Sequence, residues 1–173
     1  MRGDSIGASL HLERALDMVL ELGDSGRDVL PDVLFAYTQR LPSDASARAV
    51  LKRVEPLPLI KSLRAGETLS VDESIQLHTA LGRLEQASGN LDAARKDLDE
   101  ALRLRTKHDE PGSPWLEQLQ GMKAELEIQA GDAAKARTAL TQAEQSQAHN
   151  PAKLPYFTKP LADLRLRLAS APN

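Results

Sequence analysis

Four histidines, His11, His78, His108 and His149, are the side chains best suited to ligate a metal or move a proton near neutral pH. None is spaced from another as H-x3-H or any comparable ligand pair. His108-Asp109-Glu110 is a polar cluster in a Pro- and Gly-containing stretch, and solvation is its simplest role. Cysteine is absent, which removes disulfides, thiolate metal ligation and a thiol nucleophile. The carboxylates are scattered and lie beside cations, as in Glu13-Arg14 and Asp92 to Lys96, the pattern of a solvated helix face. No glycine-rich phosphate loop is present, because Gly82 and Gly89 are taken up by helix packing and a turn. Arg2-Gly3-Asp4-Ser5 spells an adhesion tetrapeptide, but Gly3 and Asp4 belong to a recurring structural corner. Trp115, beside Pro114 at a helix start, reads as a packing anchor or an interface anchor. Tyr156, Phe157 and Pro160 read as the contact of a last helix with its neighbour. The residues therefore predict no catalytic site, no cofactor and no metal; the chemistry left is binding.

The elements that would position a binding surface are marked by a repeat, Gly-Asp/Asn-x3-Ala-x3-Leu-x2-Ala. It occurs at Gly3, Asp4, Ala8, Leu12, Ala15; at Gly89, Asn90, Ala94, Leu98, Ala101; and at Gly131, Asp132, Ala136, Leu140, Ala143. The last two copies are 131 − 89 = 42 residues apart and the first two 89 − 3 = 86, close to two periods. Periods of this length signal a solenoid, in which each unit buries its apolar face only against its neighbours. Glycine can end one helix at C′, and the Asp or Asn after it can cap the next. Ala, Leu and Ala then fall at i, i+4 and i+7, on one face. Leu77, Leu81 and Leu84, with Gly82 as a close-approach point, mark the partner helix upstream of the second copy. Leu119, Met122, Ala124 and Leu126 do so for the third.

Helices are predicted at Ser5–Leu22, Asp28–Arg40, Asp44–Val54, near Leu57–Leu63, Val71–Ser88, Leu91–Lys107, Ser113–Ala130, Asp132–Gln147 and Tyr156–Ala169. Pro31 suits a first helical turn. Asp44–Val54 is the candidate for the degraded copy, with Ala45 and Ala49 as its small residues. Aromatics are only 3% of the chain and no long stretch alternates apolar with polar, so no sheet is expected. Leu10 to Leu22 is broken by His11, Glu13, Arg14, Asp17 and Glu21, unlike a secretory leader. No apolar run approaches a membrane span. A net charge of −3 gives no drive towards nucleic acid or an anionic membrane. A cytoplasmic location is expected.

Ile75 to Thr106 resembles the tetratricopeptide repeat family. Leu81 and Gly82 stand where the family has Leu-Gly, Gly89 fills the turn, and Ala94, Leu98 and Ala101 fill the second helix. Glu117 to Gln147 matches through Ala124, Gly131, Ala136, Leu140 and Ala143. The chain departs from the family at Glu85 and Glu127, where an aromatic is usual, at His78 and Gln120, which replace a Trp, and after Leu104, where a Pro is missing. The long period is similar to the kinesin-light-chain type, common in bacterial signalling proteins.

The resemblance implies an all-α, right-handed α-solenoid of antiparallel helix pairs in one domain over 1–173. It would comprise a half repeat at 1–22, a degenerate repeat at 28–64, repeats at 71–107 and 113–147, and a capping helix at 156–169. It implies a C-terminal fragment of a longer, multidomain protein. The concave groove would be lined by Gln76, Thr79, Arg83 and Gln86, then by Gln118, Gly121, Glu125 and Ile128, with Gln129 beside them. Thr79 and Arg83 replace the Lys and Asn of the clamp that some members use for chaperone tails. The expected partner is a polar peptide or protein; the alternative is a ligand-sensing regulatory domain. An exposed solenoid end would also allow a homodimer.

Overall fold

A computed structural model describes residues 3–39, 43–150 and 155–169, with side chains in 10–39, 43–150 and 160–169. Among these residues the chain forms nine α-helices and no strand. They are α1 (Gly3–Leu22), α2 (Leu30–Thr38), α3 (Asp44–Val54), α4 (Pro58–Ala65), α5 (Val71–Ser88), α6 (Leu91–His108), α7 (Pro114–Gln129), α8 (Ala133–His149) and α9 (Pro155–Ala169); a 3-10 turn, Gly23–Gly26, follows α1. Arg2 lies outside the described residues, and the side chains of Gly3, Asp4, Ala8, Tyr156 and Phe157 outside the described side chains.

Local chemistry sets the ends. Pro31, Pro58 and Pro114 each sit in a first turn, where no N–H is needed. At α5, the Glu73 N–H donates to Ser70 Oγ at 3.2 Å and the Ser70 N–H to Glu73 Oε2 at 2.9 Å, a reciprocal cap. Hydrogen bonding of its carboxyl by the Ser70 hydroxyl and then by the Ser70 backbone N–H holds Glu73 below its ordinary value. Ser70→Ala is expected to cost about 1 kcal/mol in urea denaturation at neutral pH. Because the folded pKa is depressed, the cap's contribution is present above the unfolded pKa and is lost as pH falls through the folded one. The difference between the two proteins should therefore shrink in acid.

The repeat corners form as their residues dictate. Gly89 (φ +88°) and Gly131 (φ +77°) are left-handed, a conformation that costs other residues most. The N–H groups that follow reach back across the corner, Asn90 to Glu85 O and Asp132 to Glu127 O, both at 2.9 Å. The Asp132 carboxylate also caps α8, accepting the Lys135 N–H at 3.0 Å. Gly131→Ala should lower stability by about 1 kcal/mol, read as a lower urea midpoint.

The contacts divide the chain into two compact units, Met1–Ala94 and Arg95–Asn173. In the first, α2 packs on α1 and α5, and α3 packs on α5. Leu16 and Val19, Leu34, Val50 and Val54, Ile60 and Leu63 form its core around Leu77, Ala80, Leu81 and Leu84 of α5. The buried face of α3 is Ala47, Val50, Leu51 and Val54, while Ala45 and Ala49 are exposed. Two residues turn a helix by about 200°, so a face offset by two from the expected one points the opposite way.

In the second unit, α7, α8 and α9 pack pairwise. Its core joins Ala124 of α7, Ala136, Ala139, Leu140 and Ala143 of α8, and Leu161, Leu164 and Leu168 of α9. Buried positions recur at the repeat period: Leu77, Leu119 and Leu161 are each 42 apart, as are Leu84, Leu126 and Leu168. Ala80, Met122 and Leu164 fill a third buried position in the same register. The helix expected only to cap the array thus carries the same buried pattern as α5 and α7.

Candidate partner-binding surfaces

On α5, the predicted groove residues divide by burial. Gln76 is half-buried, and its amide donates to Asp32 Oδ1 at 2.5 Å. Thr79 is fully buried, and its hydroxyl donates to the Ile75 carbonyl at 2.7 Å. Arg83 is only 6% exposed and donates to Gln86 Oε1 at 3.0 Å, and Gln86 is buried too. These last three are engaged inside the fold rather than presented to solvent. On α7, Gln118 and Glu125 are half-buried and Gln129 is exposed. Glu125 faces Arg167 of α9 at 3.7 Å. Gly121 is buried, and a Cβ there would lie 3.1 Å from Leu161 Cδ2; Ile128 packs against the second core.

The carboxylates read from sequence as solvated include several that are buried. Glu127 is fully buried and takes two bonds of 2.9 Å from the Arg95 guanidinium, a bidentate pair. Glu117 is fully buried and accepts from Gln147 Nε2 at 2.9 Å and from Asn150 Nδ2 at 3.4 Å. Asp97 is buried as well. Lys123 pairs with Asp99, while burial pulls its pKa down and the Glu127 charge acts in the opposite sense. A signal for Glu127 was present: it lies 127 − 85 = 42 residues after Glu85, which is also buried.

His11, His108 and His149 are exposed and His78 is half-buried. Among the described residues, no group of three or more His, Asp or Glu side chains is placed to hold a metal ion. Trp115 is 42% exposed, and the Arg105 guanidinium lies over it at 5.8 Å from the ring centroid. Arg105 also meets Asp109 at 3.3 Å, and Asp109 accepts the Ser113 hydroxyl at 2.6 Å. Arg105 thus links the Trp115 ring to the loop between α6 and α7.

Apolar side chains do reach solvent on α1. Leu10, Met18 and Leu22 are each more than half exposed. At 100° per residue they fall within an arc of about 120°, so they form one stripe. No described helix is long and apolar enough to cross a membrane. No family model, curated protein or solved structure matches the chain.

Proposed function

We propose that the chain is a non-catalytic interaction module of the tetratricopeptide-repeat type, a right-handed α-solenoid that binds a peptide or protein partner. The observation that carries this reading is the 42-residue register of buried leucines on α5, α7 and α9, together with left-handed Gly corners at the same period. Repeats of this kind make their cores from neighbours and leave a long surface for binding. The half-buried Gln76, Gln118 and Glu125, the exposed Gln129 and the apolar stripe on α1 are the contact surfaces this reading uses. In this reading the module is a cytoplasmic scaffold or regulatory part of a bacterial multidomain signalling protein.

Affinity capture from source-cell lysate, with mass spectrometry, tests it. Two control baits run beside the native chain: Glu125→Lys with Gln129→Lys, and Met18→Glu with Leu22→Glu. Partners are expected to be retained by the native bait and lost from one control, whose circular dichroism matches the native chain. Equal recovery on all three baits would remove the reading; thermal stabilisation by a small molecule would replace it with ligand sensing.

A further inference from the structure

Resting on the reading of the α1 stripe as a contact surface, we propose that its occupant is α1 of a second copy of this chain, packed antiparallel about a twofold axis.

The repeat register shows what this face meets elsewhere. The motif that begins at Gly3 begins again at Gly131, so each α1 position has a counterpart 131 − 3 = 128 residues later. Met18 answers to Ser146, and Leu22 to Asn150. The Ser146 hydroxyl donates to Gln120 Oε1 at 2.9 Å and the Asn150 amide to Glu117 Oε2 at 3.4 Å, both acceptors on α7. The third stripe residue, Leu10, answers to Thr138, which is exposed on α8. Two of the three stripe positions are therefore ones at which the later copy of this helix receives a neighbouring helix. On α1 both carry apolar side chains, with Met18 65% and Leu22 56% exposed. A helix laid on them would take apolar surface out of water, the main drive for association.

The charges select which helix that is. His11, Arg14 and Glu21 are exposed and fall in the same 120° arc as the stripe. Asp17, just outside the arc, is paired with Arg53 of its own chain at 2.5 Å. The face is thus basic in its N-terminal half and acidic in its C-terminal half. Parallel pairing of two copies would set Arg14 beside Arg14 and Glu21 beside Glu21. Antiparallel pairing about the middle of the stripe turns His11 and Arg14 of each copy towards Glu21 of the other, twice by symmetry. The Leu10 end of one helix then lies level with the Leu22 end of its partner. Met18 lies level with Arg14, whose aliphatic stem can cover it. A face complementary to itself in both charge and apolar surface is what a closed, isologous contact requires. One helix pair buries less than the roughly 1,200 Å² of a stable complex, so the dimer should be reversible, with a Kd on the order of 10 μM.

Sedimentation velocity of the full chain across a concentration series tests this. A monomer–dimer equilibrium is expected, and Met18→Glu with Leu22→Glu should abolish it while circular dichroism stays native. Arg14→Glu makes both halves of the face acidic and should weaken the dimer about tenfold at low salt. Adding Glu21→Arg to that variant exchanges the two halves and should restore the dimer, a rescue that a misfolded variant or a parallel pair would not show. A chain monomeric at every concentration would overturn the proposal, as would a dimer indifferent to the α1 variants. Growth beyond the dimer would replace the twofold contact by an open, head-to-tail one. A dimer lost in Leu166→Glu would move the occupant to α9 and overturn it too. If the chain stays monomeric while lysate capture still yields a different protein lost from the α1 control, only the second-copy assignment falls and the interaction-module reading stands.

Discussion

Arg95→Ala is expected to destabilise the chain by about 3 kcal/mol, at the low end of what breaking a buried ion pair costs. The cause is the partner left behind. Glu127 is fully buried and receives two bonds of 2.9 Å from Arg95. Without them a carboxylate is stranded away from water, and Lys123, whose charge lies close enough to act on it, compensates only in part. The reverse change, Glu127→Ala, should cost less, because the Arg95 side chain is 26% exposed and can turn towards solvent. The double variant Arg95→Leu with Glu127→Leu should recover most of the loss, since apolar replacement of a whole buried pair is often close to neutral. Urea denaturation of the native chain, the two alanine variants and Arg95→Ala with Glu127→Ala gives the coupling directly. A cost below about 1 kcal/mol for Arg95→Ala would show that the pair behaves as a surface bridge.

The same pair shows where sequence reading stops. Helix positions were legible where their ends carry corner chemistry: Gly89 ends α5, and Gly131 with Asp132 divides α7 from α8. The α3 boundaries were legible, but its buried face was not. Small size drew attention to Ala45 and Ala49, whereas the face that packs is set by Val50, Leu51 and Val54. The partners of Glu117 and Glu127 stand 30 to 33 positions away, so neither interior pairing could be read locally, and only Glu127 had a signal, in its register with Glu85. A carboxylate with no cation beside it in sequence looks solvated until a remote Arg or amide is brought to it. Of the groove set, Thr79 and Arg83 bond at i−4 and i+3 on their own helix, and residue type alone does not reveal that choice.

Leu77→Ala should cost about 3 to 4 kcal/mol, within the range for a buried leucine in a packed core. Leu77 is fully buried on α5, in the core to which α1, α2, α3 and α4 all contribute. Alanine favours the helix itself, so the loss measured is transfer and cavity rather than helix propensity. Leu166→Ala on α9 is the matched control, because that side chain is 68% exposed and should change stability by less than about 0.5 kcal/mol. The informative comparison is Leu161→Ala, at the same register position two periods on and 3% exposed. If α9 is a true repeat helix, Leu161→Ala should lower the urea midpoint about as far as Leu77→Ala, with the slope unchanged. Its neighbours on α8 are mostly alanines, which have no long side chains to move into the cavity, so the cost should not relax away. A large loss at Leu77 with none at Leu161 would mean that α9 lies on the second unit without sharing its core. The repeat would then stop at α8.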